Sequence, residues 1–154
     1  MDEPRWLSPR ELRTWRDFLK AAAILDRLIE QQLKDEAGLS HAQYEVLARL
    51  SGAPRGELRM TELAGAAFTS KSGLTYQVGQ LEKAGLVRRK SCDSDVRGVV
   101  ASLTEAGWAK IRATAPGHAA LVREHFVEGV DPALFGGLAD GLAALVAHLR
   151  EAAG

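Results

Sequence analysis

The residues of this chain best suited to chemistry are cations and hydroxyls gathered between positions 69 and 104. Arg97 follows Asp95 by two residues and precedes Gly98, in a polar stretch, 92–98, that reads as a hairpin turn. An arginine at such a tip can enter a DNA minor groove, whose negative potential attracts the guanidinium. A carboxylate two residues away can orient it through a charge-assisted hydrogen bond. The competing reading makes both ordinary turn residues. Upstream, Leu86-Val87-Arg88-Arg89-Lys90 reads as a strand that puts Arg88 and Lys90 on one face, spaced for phosphates. Charges that keep a strand edge from aggregating would look the same. Further upstream, Ser72, Thr75, Tyr76 and Gln80 can hydrogen-bond to base edges, with Lys71 and Lys83 placed for phosphates.

The elements that must position these groups are legible from period. Leu74, Val78 and Leu81 recur at helical spacing and define the buried stripe of a helix over 70–84. Thr69 and Ser70 offer capping oxygens, and Gly85 sits where the helix stops. The period then changes to two strands, 86–90 and 99–103, after which Thr104 caps another helix. A shorter helix over 62–67, capped by Thr61 and anchored by Leu63, precedes the reading helix as the first half of a helix-turn-helix. Residues 57–60 are placed to add a third strand. A helix followed by a basic hairpin is a winged helix: the helix fits a major groove and the wing reaches a minor groove.

The rest of the chain is helical. Ser8-Pro9-Arg10-Glu11 is a capping box that opens a helix with no breaker until Gly38. That is about 28 residues, or roughly 42 Å. Its apolar stripe, from Leu12 through Trp15, Phe18 and Leu25 to Leu33, is wider than one small domain needs. The simplest second partner is another copy of the chain; the alternative is one long helix lying across its own core. A second capping box, Ser40 to Gln43, opens a helix ending at 51–52, followed by a surface loop at 53–56. The helix after Thr104 runs through Trp108 and Ile111 and should kink or break at Pro116-Gly117. Asp131-Pro132 opens a last helix whose Leu134, Leu138, Leu142, Leu145 and Leu149 form a regular apolar face.

Composition sets the outer bounds. A chain of 154 residues is one ordinary domain by size. No run of eighteen apolar residues predicts a membrane span, and MDEPRWLSPREL lacks the apolar core of a secretory signal. A single cysteine, Cys92, excludes an internal disulfide and fits a reducing cytoplasm. Net charge is zero, yet residues 55–97 hold eight cations and five acids, +3, against −3 elsewhere. There is no phosphate-binding glycine loop, nucleophile elbow or paired carboxylate, so neither an enzyme nor a cofactor is expected. Two sensing roles stand as alternatives. Cys92 follows three cations that could lower its pKa, opposed by Asp93. His118 and His125, with Glu124 and Glu128 nearby, lack any short-spaced metal motif.

The runs SGLTYQVGQLEKAGLVRR and DVRGVVASLTEAG resemble the multiple antibiotic resistance regulator (MarR) family of bacterial transcription regulators. In that family the wing carries an Asp-x-Arg pair before a strand ending in Leu-Thr-x-x-Gly, here Asp95, Arg97, Leu103, Thr104 and Gly107. Tyr76 departs from the pattern, since many relatives carry arginine there. The order of elements matches over nearly the whole chain. The resemblance implies a mainly α fold with a small β-wing, over one domain spanning 1–154. Helices at 8–36 and 104–152 would dimerise, and 40–103 would form the DNA-binding lobe. It also implies an obligate homodimer on a palindromic operator, most simply a repressor, released by a small molecule. A small aromatic ligand would sit between lobe and dimer helices, near Trp15, Phe18, Tyr44 and Trp108. The competing class is a winged helix that binds another protein.

Overall fold

The computed structural model describes residues 3–66, 70–92 and 95–153. The chain groups into two compact units, Met1–His118 and Ala119–Gly154.

In the first unit, α1 spans Pro9–Ala37. Ser8 Oγ accepts the N–H of Glu11 at 3.3 Å, and Glu11 Oε2 accepts the N–H of Ser8 at 2.7 Å, completing the capping box. Gly38, at φ +65°, ends the helix. A second capping box, Ser40 with Gln43, opens α2, His41–Gly52. A 3-10 turn, Pro54–Gly56, leads into β1, Glu57–Arg59. Next come α3, Met60–Ala66, and α4, Lys71–Lys83. The wing is β2, Val87–Cys92, and β3, Asp95–Leu103. The sheet is antiparallel in the order β1-β3-β2, so Glu57–Arg59 supply the third strand expected over 57–60, while Met60 already belongs to α3. α5, Glu105–Val122, begins in this unit and runs on into the second.

One core ties these elements together. Leu33 of α1, Leu47 and Leu50 of α2, Leu63 of α3 and Leu74, Val78 and Leu81 of α4 are all buried. Val87, Ala101 and Ile111 close the core from the wing and α5. Burying the three α4 side chains contributes roughly 5–8 kcal/mol as an upper estimate. That fixes which face α4 turns inward, and hence which it turns out.

Three boundaries differ from the sequence reading. α3 starts at Met60, so Thr61 lies inside the first turn; Glu62 Oε2 accepts the N–H of Arg59 at 3.0 Å in place of a threonine cap. Residue 67, its expected end, and Thr69 lie outside the described residues. The wing strands are longer than expected. Residues 95–98 belong to β3 and not to a turn, and the register shifts at Ser91/Cys92. Finally, α5 does not break at Pro116-Gly117. A Cβ on Gly117 would meet the Glu36 carboxylate and lie 3.0 Å from Gln32 Nε2, so glycine here permits close packing on α1.

In the second unit the irregularity comes later, as a π-helical turn over Arg123–Val127 closed by Glu128 N–H to the Arg123 carbonyl at 2.8 Å. Asp131 Oδ1 accepts the N–H of Ala133 at 2.8 Å and opens α6, Pro132–Ala153. No described residue of α6 is buried; Leu134, Leu145, Val146 and Leu149 stand exposed. By length and composition it is the one helix among the described residues apolar enough to cross a membrane, with mean hydropathy 1.4. It holds no unbroken apolar run of that length, because Asp140 interrupts the sequence. A carboxylate at a bilayer centre costs roughly 2.5–3.5 kcal/mol, which sets α6 against that role.

Candidate nucleic-acid interface

α4 presents its polar stripe outward because Leu74, Val78 and Leu81 hold the opposite face. Ser72, Thr75, Tyr76 and Lys83 are exposed and Gln80 is half-buried, so the expected reading residues do fall on one side. Ser70 Oγ caps the helix by accepting the N–H of Gly73 at 3.2 Å. Tyr76 is 63% exposed, too far out to count as core. Its ring and single hydroxyl cannot make the bidentate pair with guanine that an arginine makes. The side chains of Lys71, Cys92, Asp95 and Arg97 lie outside the described part, as do Asp93 and Ser94. The backbone places Asp95 and Arg97 at the start of β3.

The wing is fastened to α4 in two places. At its middle, Glu82 Oε2 accepts the Arg89 N–H at 3.0 Å, and Oε1 accepts from Arg89 Nη2 and Nε at 2.9 and 3.3 Å. The guanidinium first, then the backbone N–H, holds the Glu82 carboxyl below the usual carboxylate range. At its base, the Thr104 hydroxyl donates to the Gly85 carbonyl at 2.6 Å and accepts the N–H of Gly107 at 3.1 Å. The Thr104 N–H donates to the Leu86 carbonyl at 3.1 Å. Gly107 has no room for a side chain: a Cβ would run into the Leu86 carbonyl oxygen and lie 3.0 Å from Leu103 Cδ2. The Leu-Thr-x-x-Gly run is thus a knot joining the returning strand, the end of α4 and the start of α5.

These contacts sort the cations. Arg89 is engaged by Glu82. Lys90 Nζ lies 3.6 Å from Glu57 Oε2, while Glu57 Oε1 pairs with Arg55 at 3.1 Å. Arg88 is exposed and makes no ion pair among the described residues. A cleft of about 430 Å³ lies between α4 and the wing, lined by Arg59, Thr61, Thr75, Arg89 and Gly98. The surface offers hydroxyls on a helix beside cations on a hairpin, which suits a duplex with a groove and two phosphate rails. The sequence reading missed the Glu82–Arg89 fastening, although the two residues face each other across the Gly85 turn.

The remaining candidates separate. Trp15 and Phe18 stack on each other at 6.1 Å on the exposed part of α1. Tyr44 is buried against His118, ring centroids 4.4 Å apart, and Trp108 packs against Gly56. None of the four lines the main apolar cavity, which lies between α1, α2 and α3 and has a volume of about 470 Å³. His41 bridges two helices: Nδ1 is 2.9 Å from Asp26 Oδ1 and Nε2 is 3.7 Å from Glu45 Oε1. Glu45 chiefly, and Asp26 with it, raises the His41 pKa against the opposing effect of burial. Burial and the neighbouring His41 charge lower that of His118. Among the described residues no three His, Cys, Asp or Glu side chains are placed to hold a metal ion.

A family model described as the MarR family matches residues 37–98. The MarR family transcriptional regulator Sco3205 of Streptomyces coelicolor, solved in complex with DNA, is 40% identical with a TM-score of 0.91. The match covers 97% of this chain and 94% of that one. AbsC, a MarR family regulator from the same organism, is 39% identical with a TM-score of 0.90, over 96% and 99% of the two chains. A MarR family regulator from Silicibacter pomeroyi is 26% identical with a TM-score of 0.75, over 95% and 97%. No curated protein matches. A fastened wing beside an outward polar helix, and two relatives near 40% identity over almost the full length, lead to one statement: the chain belongs to the MarR family of transcriptional regulators.

Proposed function

We propose that the chain is a homodimeric, non-enzymatic, cytoplasmic regulator of transcription that binds a palindromic duplex, as a repressor that answers to a small molecule. The observation that carries the reading is the outward stripe of α4, held beside the cationic wing by the Glu82–Arg89 and Thr104–Gly85 contacts. Ser72, Thr75, Tyr76 and Gln80 meet base edges in the major groove. Lys71, Lys83 and Arg88 meet phosphates. Lys90 contributes less than Arg88, because a phosphate has to compete with Glu57 for it. Arg97, oriented by Asp95, enters the minor groove. The exposed apolar faces of α1 and α6, Trp15, Phe18 and Leu19 on one and Leu145, Val146 and Leu149 on the other, supply the dimer contacts. Two copies on a two-fold axis require two half-sites.

The test is selection of duplexes from a random pool, then titration of the winner against salt, with solution mass measured at micromolar protein. Enrichment of a palindrome and a steep salt slope are expected. A monomer would remove the two-fold argument. Weak binding with no salt dependence would point to a winged helix that docks on another protein.

A further inference from the structure

The cavity between α1, α2 and α3 has a floor of hydrocarbon: Ala22, Leu25 and Ile29 from α1, Ala42 and Val46 from α2, and Leu63 from α3. At about 470 Å³ it falls in the size range of small-molecule sites. Its rim is charged unequally, with Asp26, Glu30 and Glu45 against Arg49 and, when it is protonated, His41. The pairings show where the surplus sits. Glu45 lies between His41 Nε2 at 3.7 Å and Arg49 Nη2 at 3.9 Å, so its charge is answered within the rim. Asp26 uses only Oδ1, on His41 Nδ1 at 2.9 Å. Glu30 uses only Oε1, on the backbone N–H of His41 at 3.1 Å, a partner with no formal charge. Among the described residues, then, one full carboxylate charge and one free carboxylate oxygen stand on α1 one helical turn apart, above an apolar floor.

We infer that this cavity takes an amphiphilic cation, with its ammonium between Asp26 and Glu30 and its hydrocarbon on the floor. A neutral analogue of the same shape gains the floor alone. An anionic analogue gains the floor and meets the carboxylates. This departs from the small aromatic ligand that the family resemblance suggests. Binding itself does not depend on the function proposed above; only its consequence for DNA rests on that reading, since α3 leads directly into α4 and a ligand shifts DNA affinity only by preferring one arrangement of the two.

The experiment titrates the full chain with octylammonium, octanol and octanoate by calorimetry, in wild type and in the double variant Asp26→Asn with Glu30→Gln. Octylammonium is expected to bind wild type about 3- to 30-fold tighter than octanol, from charge pairs with exposed Asp26 and half-buried Glu30, with octanoate weakest. The double variant should bind octylammonium and octanol alike. Octanoate or octanol binding as tightly as octylammonium to wild type overturns the inference, as does no octylammonium binding at millimolar concentration. If the double variant does not fold, the ranking of the three ligands on wild type decides. The selected duplex is then titrated with and without octylammonium. Cation-selective binding with unchanged DNA affinity upholds the cavity assignment and removes the effector role.

Discussion

Gly107→Ala should be among the most damaging single-methyl additions in the chain, and the base of the wing shows why. The new Cβ would overlap the Leu86 carbonyl oxygen and press on Leu103 Cδ2 at 3.0 Å. The first of these is backbone and cannot rotate away. Either α5 retreats from the wing or the first residues of β2 move. The Leu86 carbonyl is itself committed, accepting the Thr104 N–H at 3.1 Å. Overpacking a tight site costs about 1–3 kcal/mol, and a backbone neighbour puts this one at the top of that range. At ~3 °C per kcal/mol for a chain of this size, the melting temperature should fall by about 9 °C. Thr104→Ala gives a graded companion. It removes a helix cap, worth about 1 kcal/mol, and a hydroxyl bond to the Gly85 carbonyl worth about 0.5–1.5 kcal/mol. That predicts a fall of about 5–8 °C. Both are read from urea and thermal unfolding at one fixed protein concentration, because a dimer's stability depends on it. Both should also weaken DNA binding at temperatures where the protein stays folded, since the wing turns on this knot. A Gly107→Ala protein melting within about 1 °C of wild type would show that the approach is not tight and that the knot does not position the wing.

Further expectations concern charge. Arg97→Ala should leave stability unchanged within about 0.5 kcal/mol. It should lower operator affinity roughly tenfold to several-thousandfold, from two arginines per dimer in the groove; unchanged affinity at fixed salt would take the wing out of recognition. Arg88→Ala should flatten the salt slope by about 1 for each phosphate that the arginine neutralises in the wild type, and Lys90→Ala by less; the reverse order would mean that Glu57 does not hold Lys90. His41 has a folded pKa above its unfolded value, so its charge stabilises the fold most below about pH 6.5 and the benefit is lost as pH rises through the folded pKa. The stability difference between wild type and His41→Gln should therefore shrink from about pH 6 to pH 8.5. His118 has a lowered pKa and responds in the opposite sense, so a difference that grows with pH would reassign the effect to it.

Most of the fold was legible because its signals are local. Ser8 and Ser40 each stand three residues before a Glu or Gln, and both capping boxes form. Leu74, Val78 and Leu81 repeat at helical spacing, and all three are buried. Gly38 and Gly85 sit at positive φ beyond the ends of helices, where glycine itself marked the stops. What failed was set by packing and strand pairing, which composition and period do not show. Pro116-Gly117 was expected to kink or break the helix, and the helix runs on past it; a Cβ at Gly117 would meet the side-chain ends of Glu36 and Gln32 on α1, a proximity that spacing does not show. The hairpin was drawn too short because residues 95–98 look like a turn by composition. Asp95 pairs with Cys92 and Val99 with Ser91, so the stretch between those two pairs is extended.

The site divides along the same line. A helix face needs only spacing to be read, so the outward stripe of α4 was found. Which wing cations are free needs partners, and those come from across the sheet or across a turn. Arg88, Arg89 and Lys90 are consecutive, equally cationic and indistinguishable by composition. Yet Glu82, seven residues before Arg89, binds it through three hydrogen bonds, and Glu57, on the far side of β3, draws Lys90. Only Arg88 keeps its charge for a ligand among the described residues of that run. The family resemblance placed a small aromatic ligand near Trp15, Phe18, Tyr44 and Trp108; in the structure Tyr44 is buried, Trp108 packs against the core, and Trp15 and Phe18 are exposed. The cavity that does form is floored by small and branched aliphatic residues. Ala22, Leu25 and Ile29, on the α1 stripe that runs from Leu12 to Leu33, line it with Ala42 and Val46 of α2, while Leu33 and Leu47 are buried in the core.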